Sequence, residues 1–104
     1  MNNPQRGEVW LADFGYNAKT RPAIVFSVPA LDEDRALVTM VMHTTSTRGT
    51  RFEVNVTVKF LRNGAFECQN LTTISHSQLI RKLGALSIEQ MQPIEDTVRL
   101  WLGL

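Results

Sequence analysis

The sequence predicts a mainly β protein: five or six strands in an antiparallel, barrel-like sheet, with one C-terminal helix packed on it. Three observations predict this class. Between residues 7 and 74, short apolar segments follow one another, separated by Gly, Pro, Asn and Asp. An Asn-Gly pair, the dipeptide that best suits a tight hairpin, stands at residues 63–64. Beyond residue 86, apolar positions take up helical spacing.

The elements follow in order. "GEVWLADF" (7–14) alternates bulky apolar side chains with charged or small ones and reads as a strand, and "GYNAKT" (15–20) as a loop. "RPAIVFSVP" (21–29) is a near-continuous apolar run between prolines, too short for a buried helix and suited to a central strand. "ALDEDR" (30–35) turns the chain into a third strand, "ALVTMVMH" (36–43). "TRFEVNVTVKF" (50–60) alternates with Phe52, Val54, Val56 and Val58 on one side. The Asn-Gly pair would then fold it back onto "AFECQNLTTI" (65–74). "SHSQLIRKLGAL" (75–86) is mixed and suggests one helical turn and a short strand.

Ser87 and Gln90 have the spacing of a capping box. Ile88, Met91, Ile94 or Glu95, Val98 and Trp101 then form one helical face, and Gly103 closes the helix. Pro93, beyond the first turn, removes a backbone hydrogen bond and should kink it. This stripe is core packing and not a cofactor site.

Composition narrows the function. At 104 residues the chain is read as a single domain, residues 1–104. Its core is modest, so an oligomer interface would help it appreciably. A hydrophobic fraction of 43% and a charged fraction of 20% are ordinary for a globular protein. Nothing approaches the roughly 18 apolar residues of a membrane span, and "MNNPQRGEVW" has no apolar signal core. The single cysteine, Cys68, cannot form an intrachain disulfide or a CxxC site and suits a small buried position in a strand. A cytoplasmic location is expected.

No phosphate-binding glycine loop, G-x-S-x-G elbow or HExxH occurs. His43 and His76 stand far apart with no companion cysteine, and no spacing supports a nucleophile pair with Cys68. Neither a metal nor a cofactor is expected.

The net charge of +1 is uninformative, but its distribution is uneven. Residues 17–62 carry seven Lys/Arg against four Asp/Glu, three of those acids lying together at 32–34. Lys19, Arg21, Arg48, Arg51, Lys59 and Arg62 lie apart from them, a weak footprint for a polyanion. Within it, residues 43–51 hold five hydroxyl side chains and two arginines without a carboxylate. Arg21 precedes Pro22, whose ring favours an extended entry and aims the guanidinium from a rigid element. A guanidinium binds phosphate through two parallel donors. Thr44 and Thr45 end the third strand, one hydroxyl facing each way. Two readings remain open on the residues alone. Either these groups form a phosphate-binding site, or the hydroxyls cap a turn while Arg21 pairs with Glu8 or Asp13.

Taken in order, "RGEVWLADF", "RPAIVFS", "VTMVMHTTSTRGTRFEV" and "CQNLTTISHSQLIRKLGALSIEQM" resemble the MazF/PemK (Kid) family of toxin endoribonucleases, over nearly the whole chain. The resemblance implies an SH3-like β-barrel homodimer, of the MazF/Kid/CcdB-like type, that cuts single-stranded RNA without a metal. In such chemistry the ribose 2′-hydroxyl attacks the adjacent phosphodiester, leaving a 2′,3′-cyclic phosphate and a 5′-hydroxyl. The family's catalytic arginine and threonine fall on Arg21 and Thr44, and RNA-binding positions are expected at Lys19, Thr45, Ser46, Arg48, Arg51 and Gln69. A cognate antitoxin would inhibit by laying a peptide into the same groove.

Some positions depart from the pattern. "GYNAKT" is short and lacks the usual Gly-Gly or acidic residue. Glu67 and Gln69 stand where one branch has arginine and aspartate, and Thr72 and Ser75 where Arg and Asp are frequent. An aspartate general base is therefore missing, and His43, Arg21 or water would have to serve. His43 should point away from Thr44, as a half-buried structural histidine. Two alternatives follow: a CcdB-like gyrase inhibitor acting through its C-terminal helix and Trp101, or a member that binds RNA or antitoxin without cutting.

Overall fold

The computed structural model describes residues 3–15 and 19–104, so residues 16–18 of the 15–20 loop lie outside the described residues. Six strands form one antiparallel sheet: β1 (Glu8–Asp13), β2 (Thr20–Val25), β3 (Leu37–Thr44), β4 (Glu53–Asn55), β5 (Ala65–Ser75) and β6 (Leu79–Ala85). Their order is β4-β5-β3-β2-β1-β6, which puts the proline-bounded β2 in the middle, as its continuous apolar run requires. The ladder is open, with β4 and β6 at its edges. A 3-10 turn (His76–Gln78) precedes β6, and one helix, α1 (Ile88–Leu102), ends the chain. The expected mainly β architecture with a C-terminal helix holds.

Strand alternation sorts the apolar side chains into two buried clusters. Val9, Ile24, Val41 and Phe66 join Met91, Ile94 and Val98 of α1 on one face. Trp10, Val25, Val38, Met40, Met42 and Ile74 form the other. Neighbouring residues such as Val9 and Trp10, or Ile24 and Val25, therefore serve opposite sides. Each large apolar side chain buried in this way stabilises the fold by ~1.5–3 kcal/mol. Cys68 lies within the first cluster, and burial pushes its thiol up to about 12, so it is packing material and not a nucleophile.

The capping box is complete. Ser87 Oγ accepts from the Gln90 amide at 3.1 Å, and Gln90 Oε1 accepts from the Ser87 amide at 2.9 Å. Gly103 closes the helix in the left-handed region at φ 74°. The helix continues through Pro93, whose carbonyl accepts the Thr97 hydroxyl at 2.7 Å. Its buried stripe is shorter than the spacing implied: Met91, Ile94 and Val98 are covered, whereas Ile88 is 83% exposed and Trp101 44% exposed. Trp101 instead sets its ring edge-to-face on Phe52, 5.3 Å away.

Two other expectations need correction. Residues 50–60 do not form a long strand; only Glu53–Asn55 pair with β5. Val56, Val58, Phe60 and Leu61 pack on the first cluster from irregular backbone, so burial alone explains the alternation read in the sequence. Nor does Asn63-Gly64 make a two-residue hairpin, since β4 and β5 are joined by residues 56–64. Gly64 serves a different need. A Cβ there would lie 2.1 Å from the Thr44 carbonyl oxygen, so only glycine lets β5 begin against the end of β3.

Candidate active site

The register of the two central strands builds the site. β2 and β3 pair through Ala23–Met42, and the same register carried two residues further sets Arg21 opposite Thr44. Arg21 Nη2 donates to the His43 carbonyl at 2.7 Å and stands 3.5 Å from Glu67 Oε2 on β5. Among the described residues, Nε and Nη1 of Arg21 make no hydrogen bond. One corner of the guanidinium is thus fixed by the protein, and the N–H donors of Nε and Nη1 are left to meet an oxyanion. The alternative partners are engaged elsewhere. Glu8 accepts from Trp10 Nε1 and the Gln5 amide and pairs with Lys82, and Asp13 accepts from the Gly15 amide.

Thr44 is almost fully buried, and its Oγ1 accepts from the Ser46 amide at 3.0 Å. The hydroxyl does cap a turn, yet its own proton remains to be donated. Of the capping reading, the turn cap is thus present at Thr44, while Arg21 pairs with Glu67 in place of Glu8 or Asp13. The loop after β3 is held by Glu53, whose carboxylate accepts from the amides of Arg48, Gly49 and Thr50 at 2.7–3.2 Å. The Arg48 amide first, then those of Gly49 and Thr50 and the Arg48 charge, hold the Glu53 carboxyl below its ordinary value.

Arg21, Thr44, Thr45, Ser46 and Arg48 all line one open cleft of about 970 Å³. Three other expected RNA-binding residues do not line it. Lys19 is exposed beside it with φ 55°, Arg51 lies over the Phe52 ring at 4.6 Å, and Gln69 lines a smaller neighbouring pocket. Gln69 is not isolated from the cleft, however, because Arg48 and Glu67 border both cavities.

The fold adds residues that the sequence reading left out of the site. Arg62, from the loop before β5, and Arg81, from β6, bring the cleft arginines to four. Arg62 had been read only as part of the basic footprint, and nothing in the sequence marked Arg81. Glu67 had been read as a lost arginine; it is the one carboxylate lining the cleft among the described residues.

His43 belongs to the wall rather than to solvent. It is 3% exposed and packs edge-to-face on Phe66 at 5.0 Å, on the opposite strand face from Thr44 as alternation requires. Its Nε2 is buried without a hydrogen-bond partner among the described residues. Burial, and then the nearby Arg21 charge, lowers its pKa, while Glu67 opposes the shift.

The family described as PemK-like, MazF-like toxin of type II toxin–antitoxin system covers residues 5–102. The chain belongs to that family. Among solved structures, this toxin is similar to a mycobacterial endoribonuclease in complex with its cognate antitoxin, at 28% identity. The alignment covers 97% of this chain and 96% of that one, with a TM-score of 0.84. It is likewise similar to the Mycobacterium tuberculosis toxin MazF-mt6, at 25% identity over 93% and 97% of the two chains, with a TM-score of 0.80. MazF from Deinococcus radiodurans shares the fold at 19% identity, full coverage of both chains and a TM-score of 0.85. Among the described residues, no helix of this toxin is long and apolar enough to cross a membrane.

Proposed function

We propose that this toxin is an endoribonuclease that cuts single-stranded RNA by internal transesterification, without a metal. The observation that carries the reading is that Arg21, anchored through Nη2, keeps its Nε and Nη1 donors without a partner among the described residues and lines a cleft that Thr44 also lines. Arg21 would receive the phosphoryl oxygens and stabilise the charge that develops there, and the Thr44 hydroxyl would donate to the same phosphate. Preorganised donors of this kind are worth ~10²–10³ in kcat when one is lost. Thr45, Ser46 and Arg48 would hold the flanking strand, and Gln69 would meet a base in the side pocket. Lys19 and Arg51 would act at the rim by charge alone.

The similar mycobacterial proteins are endoribonucleases, one of them captured with its cognate antitoxin. They support cleavage here over gyrase inhibition or binding alone, and they support an antitoxin segment as occupant of the cleft. A homodimer in the cytoplasm completes the proposal.

The test is cleavage of a long single-stranded RNA in excess EDTA, beside an Arg21→Ala control, with the ends mapped. Discrete cuts bearing 2′,3′-cyclic phosphate, absent in the control, are expected. Intact RNA would sink the reading.

A further inference from the structure

The transesterification needs a proton acceptor for the 2′-hydroxyl, and the family-type aspartate position is Gln69 in this chain. Four cleft-lining side chains are arginines, which stay protonated at any working pH and accept nothing. His43 also lines the cleft, but it is 3% exposed, its ring packed against Phe66 and its Nε2 buried. The hydroxyls of Thr44, Thr45 and Ser46 are far too weak as bases. Among the described residues lining the cleft, this leaves Glu67.

We propose that Glu67 is the general base of the reaction. The inference rests on the ribonuclease reading above and assigns that same site its missing group. Glu67 is held where a base is needed. Its Oε2 accepts from Asn70 Nδ2 at 3.2 Å and faces Arg21 Nη2 at 3.5 Å, which fixes the carboxylate beside the guanidinium that would grip the phosphate. Its Oε1 makes no hydrogen bond among the described residues and is free to take a proton. The side chain is 28% exposed, sheltered yet open to the cleft.

The like charge that faces it across the strands is engaged elsewhere. Glu53 lies directly opposite on β4, a pairing that would repel, but its carboxylate is turned onto the amides of Arg48, Gly49 and Thr50. From the other elements, Arg21 on β2, Arg81 on β6 and the loop residues Arg48 and Arg62 present positive charge, and β3 presents His43. The chemistry then balances. The 2′-oxygen gives its proton to Glu67 Oε1 as it bonds to phosphorus, and the phosphorus–5′-oxygen bond breaks. The leaving 5′-oxygen takes a proton from water in the open cleft, and Glu67 returns its proton to solvent.

Single-turnover cleavage of an RNA oligonucleotide carrying the mapped site, followed from pH 3.5 to pH 9, tests this. The enzymes are wild type, Glu67→Gln and Glu67→Asp. Binding of the same oligonucleotide with a 2′-deoxy residue at the cut site is measured in parallel. Glu67→Gln is expected to lose ~10²–10⁴ in kcat. Its affinity for the deoxy oligonucleotide should stay near wild type, and the acid limb of its rate profile should vanish. Glu67→Asp keeps the charge beside Arg21 and should retain the limb at a reduced rate. A wild-type rate or an intact limb in Glu67→Gln overturns the assignment, as does a loss of binding that accounts for the loss of rate. Failure of the wild type itself to cut overturns the ribonuclease reading, and this assignment with it.

Discussion

At the residue scale, His43 sets two requirements against each other. Its ring fills the space against Phe66, and its Nε2 is buried unpaired, so the imidazole is tolerated only while uncharged. Folding lowers its pKa, which means that the unfolded chain binds the proton more readily. The stabilisation is therefore complete above the unfolded value of about 6.5 and is lost as pH falls through it toward the lower folded value. We expect the urea midpoint of the wild type to drop between pH 7.5 and pH 5.5, and to drop less in His43→Leu. Equal slopes in the two proteins would move the effect to another group. Gly64 is constrained by geometry instead. The Thr44 carbonyl oxygen at 2.1 Å from an added Cβ is backbone and cannot swing aside. Gly64→Ala should cost ~1–3 kcal/mol in denaturant unfolding, in the range of other overpacked sites. Cleavage should fall with it, because the displaced strand end carries Thr44.

At the scale of elements, the helix and the loop after β3 are held by local devices that can be cut separately. Ser87→Ala removes the reciprocal cap of α1 and should lower stability by ~1 kcal/mol with an unchanged denaturant slope. Cleavage by that variant should match wild type, since Ser87 lies outside the cleft. Glu53→Ala should do the reverse. The amides of Arg48, Gly49 and Thr50 lose their common acceptor and should exchange hydrogen faster, while the core amides of β3 and β5 keep their protection. Acidification through the lowered Glu53 value should release the same three amides in the wild type, and protected amides in Glu53→Ala would refute the loop's dependence on this side chain. These devices also show what was legible in advance. The Ser87–Gln90 cap and the proline-bounded β2 depend on spacing within a strand or turn, and they were read correctly. Residues 50–60 were misread because burial of alternate side chains against the first cluster imitates strand alternation. Glu67, Arg62 and Arg81 escaped because sheet register and loop packing, rather than sequence proximity, bring them to Arg21.

At the scale of the molecule, a net charge of +1 conceals a sorted surface. Arg21, Arg48, Arg62 and Arg81 come from four separate chain segments, and the fold delivers them to one cleft with Glu67. A phosphate backbone bound there displaces counterions in proportion to the charges it meets. For single strands the logarithm of affinity falls with the logarithm of salt by about 0.7 per phosphate contact. Three to four contacts therefore predict a slope between about −2 and −3 for a cleavage-resistant deoxy-substituted oligonucleotide. Arg62→Ala or Arg81→Ala should each make the slope shallower by about 0.7, with similar loss of affinity for every sequence, since a phosphate contact carries no base information. Gln69→Ala should behave oppositely, keeping the slope and changing which sequences are preferred. If neither arginine variant alters the slope, the RNA path runs past Arg48 and the side pocket instead of along the full length of the cleft. The Gln69 variant would then show the larger loss.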